Sequence, residues 1–67
     1  MFVYDKLWTV MKQKNITAYM LREKYGIDSR TIRRLKNNEN VTVETLDKIC
    51  EILDCDIGDI MERFPNS

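Results

Sequence analysis

The sequence predicts an all-α fold, a single bundle of about five short helices. Apolar residues recur three and four positions apart along most of the chain, which is the spacing of helices that bury one face. Only one proline and two glycines occur in 67 residues, so few positions interrupt a helix. This length makes one domain, residues 1–67, near the lower limit at which an apolar core alone sustains a fold.

The first helix is predicted over residues 5–14. Asp5 is its expected N-cap, because short side chains with an acceptor oxygen satisfy the free amides at a helix start. Residues 2–4 precede it as an apolar, β-prone segment, which either covers the core or pairs with another chain. Trp8 is expected to be the largest buried side chain of so small a domain rather than part of a ligand site.

The second and third helices are predicted over residues 17–25 and 29–38, with a tight turn between them. Gly26 ends the second helix, because glycine enters the left-handed conformation without a Cβ clash. Either Asp28 or Ser29 then caps the third helix.

The third helix has two unlike faces. Ile32 and Leu35 are expected in the core. The opposite face carries hydrogen-bonding side chains, namely Ser29, Arg30, Arg33, Arg34 and Asn37. Long or small polar donors along one face are what a helix needs to lie in a DNA major groove.

The fourth and fifth helices are predicted over residues 43–53 and 57–63. Thr42 caps the fourth, whose apolar face is the clearest in the chain and belongs to the core. The apolar stripe of the fifth is wider than a short terminal helix needs. Met61 and Phe64 therefore either face a second subunit or pack beneath the first helix.

Residues 17–38 resemble the helix-turn-helix of the Cro/C1-type (XRE) family, in which helix, glycine turn and recognition helix follow one another over about twenty residues. The residues that carry the resemblance are Leu21, Gly26, Ile27, Ile32 and Leu35. Residues 38–60 are similar to the family's fourth and fifth helices, so the likeness covers most of the chain. It implies a lambda-repressor-like, five-helix DNA-binding domain, in which the second and third helices form the motif.

Two positions depart from the family's pattern. Arg22 lies four residues before the turn glycine, where the family usually has alanine or another small residue that lets the two helices approach. An arginine fits there if its aliphatic stem lies along the crossing and its guanidinium reaches solvent. Ala18 stands where the family often has a glutamine that touches DNA, so no contact is assigned to it.

The resemblance implies that the partner is double-stranded DNA and that the protein regulates transcription, most simply as a repressor. The residues expected to read bases, by position in the motif, are Ser29, Arg30, Arg33 and Arg34, with phosphate as the alternative contact of Arg33. Those expected at the DNA backbone are Thr17, Thr31, Lys36, Asn37, Asn38 and Asn40. Those expected to contact a second subunit are Phe2, Tyr4, Met61 and Phe64. Similar small stand-alone regulators occur in bacteria, and a homodimer on a palindrome is the usual arrangement.

The formal net charge is zero, yet the charges are segregated along the chain. Residues 1–40 contain nine Lys or Arg against four Asp or Glu, which gives +5, and residues 41–67 contain two against seven, which gives −5. A dipolar molecule can turn one face toward DNA phosphates and keep the other away. The alternative is a chance imbalance between two solvated faces.

The sequence lacks the chemistry of an enzyme or a metal site. There is no histidine and no glycine-rich phosphate loop, so no catalytic residue, cofactor or small-molecule ligand is expected. Cys50 and Cys55 are too few for a zinc site and are expected to be small buried apolar side chains. No apolar run reaches the roughly 18 residues of a membrane span, and the start lacks a signal peptide, which favours a cytoplasmic location.

A second class of function stays open, a protein-binding adaptor or anti-repressor on the same scaffold. The acidic C-terminal half and the patch of Met61 and Phe64 would then engage a protein. A scaffold without a DNA role has no need for arginines to cluster on the third helix, and its binding to random duplex DNA would depend only weakly on salt.

Overall fold

The computed structural model describes residues 1–65. In chain order the elements are strand β1 (Phe2–Val3), helices α1 (Asp5–Gln13), α2 (Ala18–Glu23), α3 (Ser29–Lys36) and α4 (Val43–Leu53), a single 3-10 turn (Ile57–Asp59) and strand β2 (Glu62–Arg63). Each of the four helices begins and ends within two residues of the bounds expected from the sequence. The longest, α4, has 11 residues. No helix in residues 1–65 is long and apolar enough to cross a bilayer.

One apolar core receives side chains from every helix. Its six fully buried side chains are Leu7, Leu21, Leu35, Ile49, Leu53 and Ile60. Burying each of them contributes about 1.5–3 kcal/mol relative to leaving it exposed. Among the described residues no polar or charged side chain is buried, so the core carries no desolvation penalty of that kind.

Side-chain caps begin three of the four helices. Thr17 Oγ1 accepts a hydrogen bond from the Met20 amide at 3.1 Å, and Thr42 Oγ1 accepts one from the Thr45 amide at 3.1 Å. Asp28 caps α3 in the same way. Each bond satisfies an amide that has no partner within its own helix, as the sequence predicted for these positions.

The start of α1 differs from the prediction. Tyr4, not Asp5, occupies the N-cap position, and it makes no side-chain cap bond. Asp5 is the first helical residue instead. Its carboxylate still favours the helix, because negative charge in the first turn interacts well with the helix dipole.

The predicted fifth helix over residues 57–63 is wrong. Residues 57–59 form one 3-10 turn, which contains Gly58, a poor helix former. The chain then extends as β2 and pairs antiparallel with β1, with Val3 opposite Glu62 and Phe2 opposite Arg63. The fold therefore has four α-helices and a short ribbon, because strand pairing satisfies backbone groups of the β-prone start that a terminal helix would leave unpaired.

The N-terminal segment thus pairs within its own chain and also covers the core. Val3 is buried, and Tyr4 is only 4% exposed. The Tyr4 hydroxyl donates to the Glu39 carbonyl at 3.0 Å, so the ring lies inside the subunit and is removed from the candidates for a dimer contact. Trp8, expected to be the largest buried anchor, is only partly buried at the edge of the core.

Cys50 and Cys55 are free thiols, and each is partly rather than fully buried. Burial raises the pKa of both thiols above the ordinary value. Both are therefore neutral at pH 7 and behave as small apolar groups rather than as nucleophiles. No group of three His, Cys, Asp or Glu side chains within residues 1–65 is arranged to hold a metal ion.

The turn between α2 and α3 depends on Gly26, whose φ is +74°. The following amide, that of Ile27, donates to the Leu21 carbonyl at 2.9 Å, which folds Ile27 back into the core. A Cβ atom added at Gly26 would meet only Lys48 Nζ, at 3.7 Å. The need for glycine is thus conformational and not a matter of space.

Replacing Gly26 with alanine should lower the free energy of unfolding by about 1–2 kcal/mol, the cost of left-handed backbone for a residue with a Cβ. Urea unfolding followed by circular dichroism measures this. Gly58→Ala is the matched control, because Gly58 has no positive φ and open space around its Cα. Its effect should stay within about 0.5 kcal/mol. Equal effects of the two substitutions would contradict the assignment.

Candidate nucleic-acid interface

Helix α3 is positioned by its buried apolar face and by the cap residue Asp28, which precedes its first residue. Ile32 and Leu35 are buried in the core. Asp28 Oδ1 accepts the Thr31 amide at 2.7 Å and is therefore the cap. Of the two caps that the sequence allowed, Ser29 is not the one used, so its exposed hydroxyl is available to a ligand.

The outer face of α3 is a cluster of cations. Its exposed basic residues are Arg30, Arg33, Arg34 and Lys36. Within residues 1–65 the only ion pair joins Arg22 Nε to Glu23 Oε1 at 3.5 Å, so none of the four forms a salt bridge there. Asp28 interacts electrostatically with Arg30 and Arg34 without forming one. Arg30, Arg34 and Asn37 follow one another at positions i, i+4 and i+7 and form one outward stripe. Guanidinium groups that form no salt bridge can bond a phosphate, or the O6 and N7 atoms of guanine, without first breaking one.

The electrostatics at the start of α3 favour an ionised Asp28. The Thr31 amide and hydroxyl, followed by Arg30 and Arg34, lower the pKa of the Asp28 carboxyl. The cap is therefore charged at neutral pH. It also places one negative group beside two of the arginines.

The six residues expected at the DNA backbone are not equivalent in the structure. Thr17 uses its oxygen as a cap acceptor but keeps its O–H as a donor, and Thr31 is partly buried. The exposed members of the set are Thr17, Lys36, Asn37 and Asn40.

Asn38 has a structural role that the sequence reasoning missed. Its φ is +56°, and its Oδ1 accepts the Tyr4 amide at 2.9 Å. This bond joins the end of the recognition segment to the N-terminal strand. Only the Asn38 oxygen is engaged in this bond, so its Nδ2 group keeps its donors, although the residue is half-buried. Left-handed backbone at an asparagine can be expected from the sequence. A hydrogen bond to Tyr4, 34 residues earlier, cannot.

Arg22 is accommodated on the outside of the helix pair. Its side chain is 45% exposed, and its guanidinium carbon lies 5.6 Å from the centre of the Tyr19 ring. The position therefore holds an arginine without burying its charge. Tyr19 itself is 65% exposed and was not singled out from the sequence. Its signal was an aromatic residue three positions before an arginine on a polar helix face.

Comparison with known proteins then identifies the fold. The sequence matches the family model of the Cro/C1-type HTH DNA-binding domain over residues 6–66. The chain belongs to this family. Helices α2 and α3 are thus the helix-turn-helix of a Cro/C1-type domain, and DNA binding in the regulation of transcription is its class of function.

A solved structure supports the same conclusion for this Cro/C1-type domain. The crystal structure of the transcriptional regulator VanUg (form II) superposes on it with a TM-score of 0.88. The two sequences are 40% identical, and the match covers 97% of this chain and 87% of VanUg. A search of curated proteins finds no match.

In this Cro/C1-type domain, replacing Asn38 with alanine should lower the free energy of unfolding by about 1–3 kcal/mol, because the Tyr4 amide loses its acceptor. Asn38→Gly keeps the left-handed backbone and loses only the acceptor, so it should cost less. Asn37→Ala is the control, with an expected effect within about 0.5 kcal/mol. Urea unfolding of the three variants measures these differences. If Asn38→Ala is as stable as Asn37→Ala, the Tyr4 bond does not hold the segment.

The cap of α3 should make stability depend on pH in the acid range. Because folding lowers the pKa of Asp28, the cap's contribution is complete above the unfolded value of about 3.9 and is lost as the pH falls through the folded value. Asp28→Ser keeps a cap that does not titrate, and its stability should fall less over the same range. Carboxyl NMR titration and unfolding at several pH values measure both effects. Titration of Asp28 at or above the ordinary pKa would contradict this.

Proposed function

We propose that this Cro/C1-type domain binds a specific double-stranded DNA sequence with α3 in the major groove and represses transcription. The observation that carries the proposal is the set of exposed arginines on the outer face of α3, none of which forms a salt bridge within residues 1–65. A folded domain that had no anionic ligand would gain by pairing such charges with its own carboxylates. None of the seven carboxylates of residues 41–65 lies within salt-bridge distance of them.

The proposed base-reading residues are Ser29, Arg30, Arg33 and Arg34. Arginine pairs with guanine through two hydrogen bonds, so guanines are expected in the recognised sequence. Arg30 and Arg34 lie one helical turn apart and would reach successive base pairs. Arg33 either joins them or binds a phosphate, and the exposed Ser29 hydroxyl accommodates either a donor or an acceptor.

The proposed contacts to the DNA backbone are Thr17, Thr31, Lys36, Asn37 and Asn40. They would set the position of α3 and carry no sequence information. Asn38 is a further candidate through its Nδ2 donors, because the bond from the Tyr4 amide uses only its Oδ1.

Repression requires only that an operator be occupied, which a DNA-binding domain does by itself. A single helix reads few base pairs, so two copies on a palindrome, with half-site centres about 34 Å apart, would extend the sequence. Of the four candidates for a contact between copies, Tyr4 is buried, and Phe2 and Met61 line a separate groove. Phe64, 46% exposed beside the terminal ribbon, is the residue proposed for that contact.

Selection of bound duplexes from a random pool, at near-physiological salt, tests the proposal. The wild-type protein should enrich a guanine-containing sequence, and the Arg30→Ala/Arg34→Ala variant should not. Lys48→Ala/Arg63→Ala is the matched control, because it removes the same charge from exposed positions outside α3. Arg34→Ala alone should weaken the selected duplex by about 1–3 kcal/mol.

Three results would count against the proposal. If Arg34→Ala changes neither affinity nor sequence preference, the base-reading assignment is wrong. If the control variant loses as much as the arginine variant, the effect is net charge and not readout. If the folded protein enriches nothing and binds random DNA with little dependence on salt, the adaptor function replaces DNA binding.

A further inference from the structure

An open apolar groove of about 730 Å³ lies between β1, α4 and the 3-10 turn. Phe2, Val43 and Ile57 line it and are 50%, 80% and 48% exposed. They are three of the six large apolar side chains that residues 1–65 expose. Concentration of exposed apolar surface in one concave place is the usual mark of an interaction site.

Neither the core nor the DNA-binding face explains this groove. None of the residues of α3 lines it, and Asn40 and Val41, in the loop that follows α3, mark one end. Its interior offers few polar groups that could orient a small ligand. The Tyr4 hydroxyl is already bonded to Glu39, and the thiols of Cys50 and Cys55 are neutral.

The charges at the groove are all of one sign. Asp47 and Asp56 are its only charged lining residues. Glu44 and Glu51 lie three residues before and four residues after Asp47, on the same side of α4, and both are exposed. Within residues 1–65 none of these four carboxylates has a basic partner within salt-bridge distance.

We propose that this groove binds a basic amphipathic helix of another protein. Val43, Asp47 and Cys50 recur at i, i+4 and i+7, so the groove follows α4 for about two turns, or about 10 Å. A partner helix would place its apolar side chains over Val43 and Ile57, and lysines or arginines flanking that face would meet the carboxylates.

The charges also argue against a second copy of this chain in the groove. A two-fold contact through the groove would bring Asp47 and Asp56 of one copy toward the same residues of the other, and like charges repel. A helix of opposite charge meets no such repulsion. The domain would then bind DNA through α3 and a protein through α4, and Asn40, a proposed contact to the DNA backbone, would border both surfaces.

The test uses the full chain and two synthetic peptides of about 14 residues, four helical turns. Both carry leucines at i, i+3 and i+4 spacing. One has lysines beside that face, and its twin has glutamates there. Binding is followed by amide NMR shifts of the ¹⁵N-labelled protein. The lysine peptide should bind and shift the amides of Val43, Cys50 and Ile57, and the glutamate peptide should not.

Two variants locate the site. Val43→Ser should weaken the lysine peptide about tenfold, because it removes an apolar contact without adding charge. It leaves the fold intact, because Val43 is highly exposed. Asp47→Lys should weaken the lysine peptide and strengthen the glutamate peptide. Glu23→Lys, the same charge change on α2, is the control and should alter their relative affinity much less.

The proposal is overturned if neither peptide binds, if the two bind equally well, or if the shifts lie outside the groove. It is also overturned if the groove amides shift with protein concentration in the absence of peptide, because a second copy is then the occupant. The duplex selection described above is independent of these results. Val43→Ser should retain duplex selection, so failure of the groove and failure of DNA binding are distinguishable.

Discussion

The burial of Ile32 and Leu35 determines which side of α3 meets solvent. An α-helix has only one face that such a pair can bury, so the arginines at 30, 33 and 34 point outward as a consequence. The turn at Gly26 and the cap at Asp28 fix the residue at which α3 begins. The start of the helix in turn decides which residues lie on its outer face. A substitution that loosened this packing would change the positions of the arginines without altering the arginines themselves.

The two ends of the described chain pair with each other, and the N-terminal one also holds the residue that follows α3. β1 and β2 pair with each other, and the Tyr4 amide of the N-terminal segment bonds Asn38 just after α3. Helix α3 is therefore fixed at its start by the local cap at Asp28 and just after its end by the bond from the Tyr4 amide to Asn38. Long-range bonds of this kind close large loops, so they contribute to cooperativity as well as to local order.

The separation of charge suits the two surfaces to different partners. Cations that form no salt bridge lie on α3, and carboxylates that form none lie along α4 beside an apolar groove. Both sets are left unpaired although their total charges cancel. Repulsion from DNA keeps the acidic surface turned away, which would leave it accessible while the basic surface is occupied.

The sequence by itself determined the local features of this protein. The bounds of the four helices to within two residues, the caps at Thr17 and Thr42 and the glycine turn all depend on residues within a few positions of one another. The sequence left the α3 cap open between Asp28 and Ser29, and the structure selects Asp28. The Cro/C1 resemblance rests on the same short-range pattern. The family follows from that pattern, and the arginine face follows from helical periodicity. The identity of the α1 cap escaped it, because Tyr4 is held by Asn38 and Glu39 and not by its own helix.

Only the tertiary structure decided what happens where distant segments meet. Residues 60–64 have an apolar pattern compatible with either a helix or a strand, and the choice fell to pairing with β1, which lies about sixty residues earlier. The burial of Tyr4, the structural use of Asn38 and the groove beside α4 arise in the same way. Each depends on which segments are brought together in space, and periodicity along one segment carries no information about that.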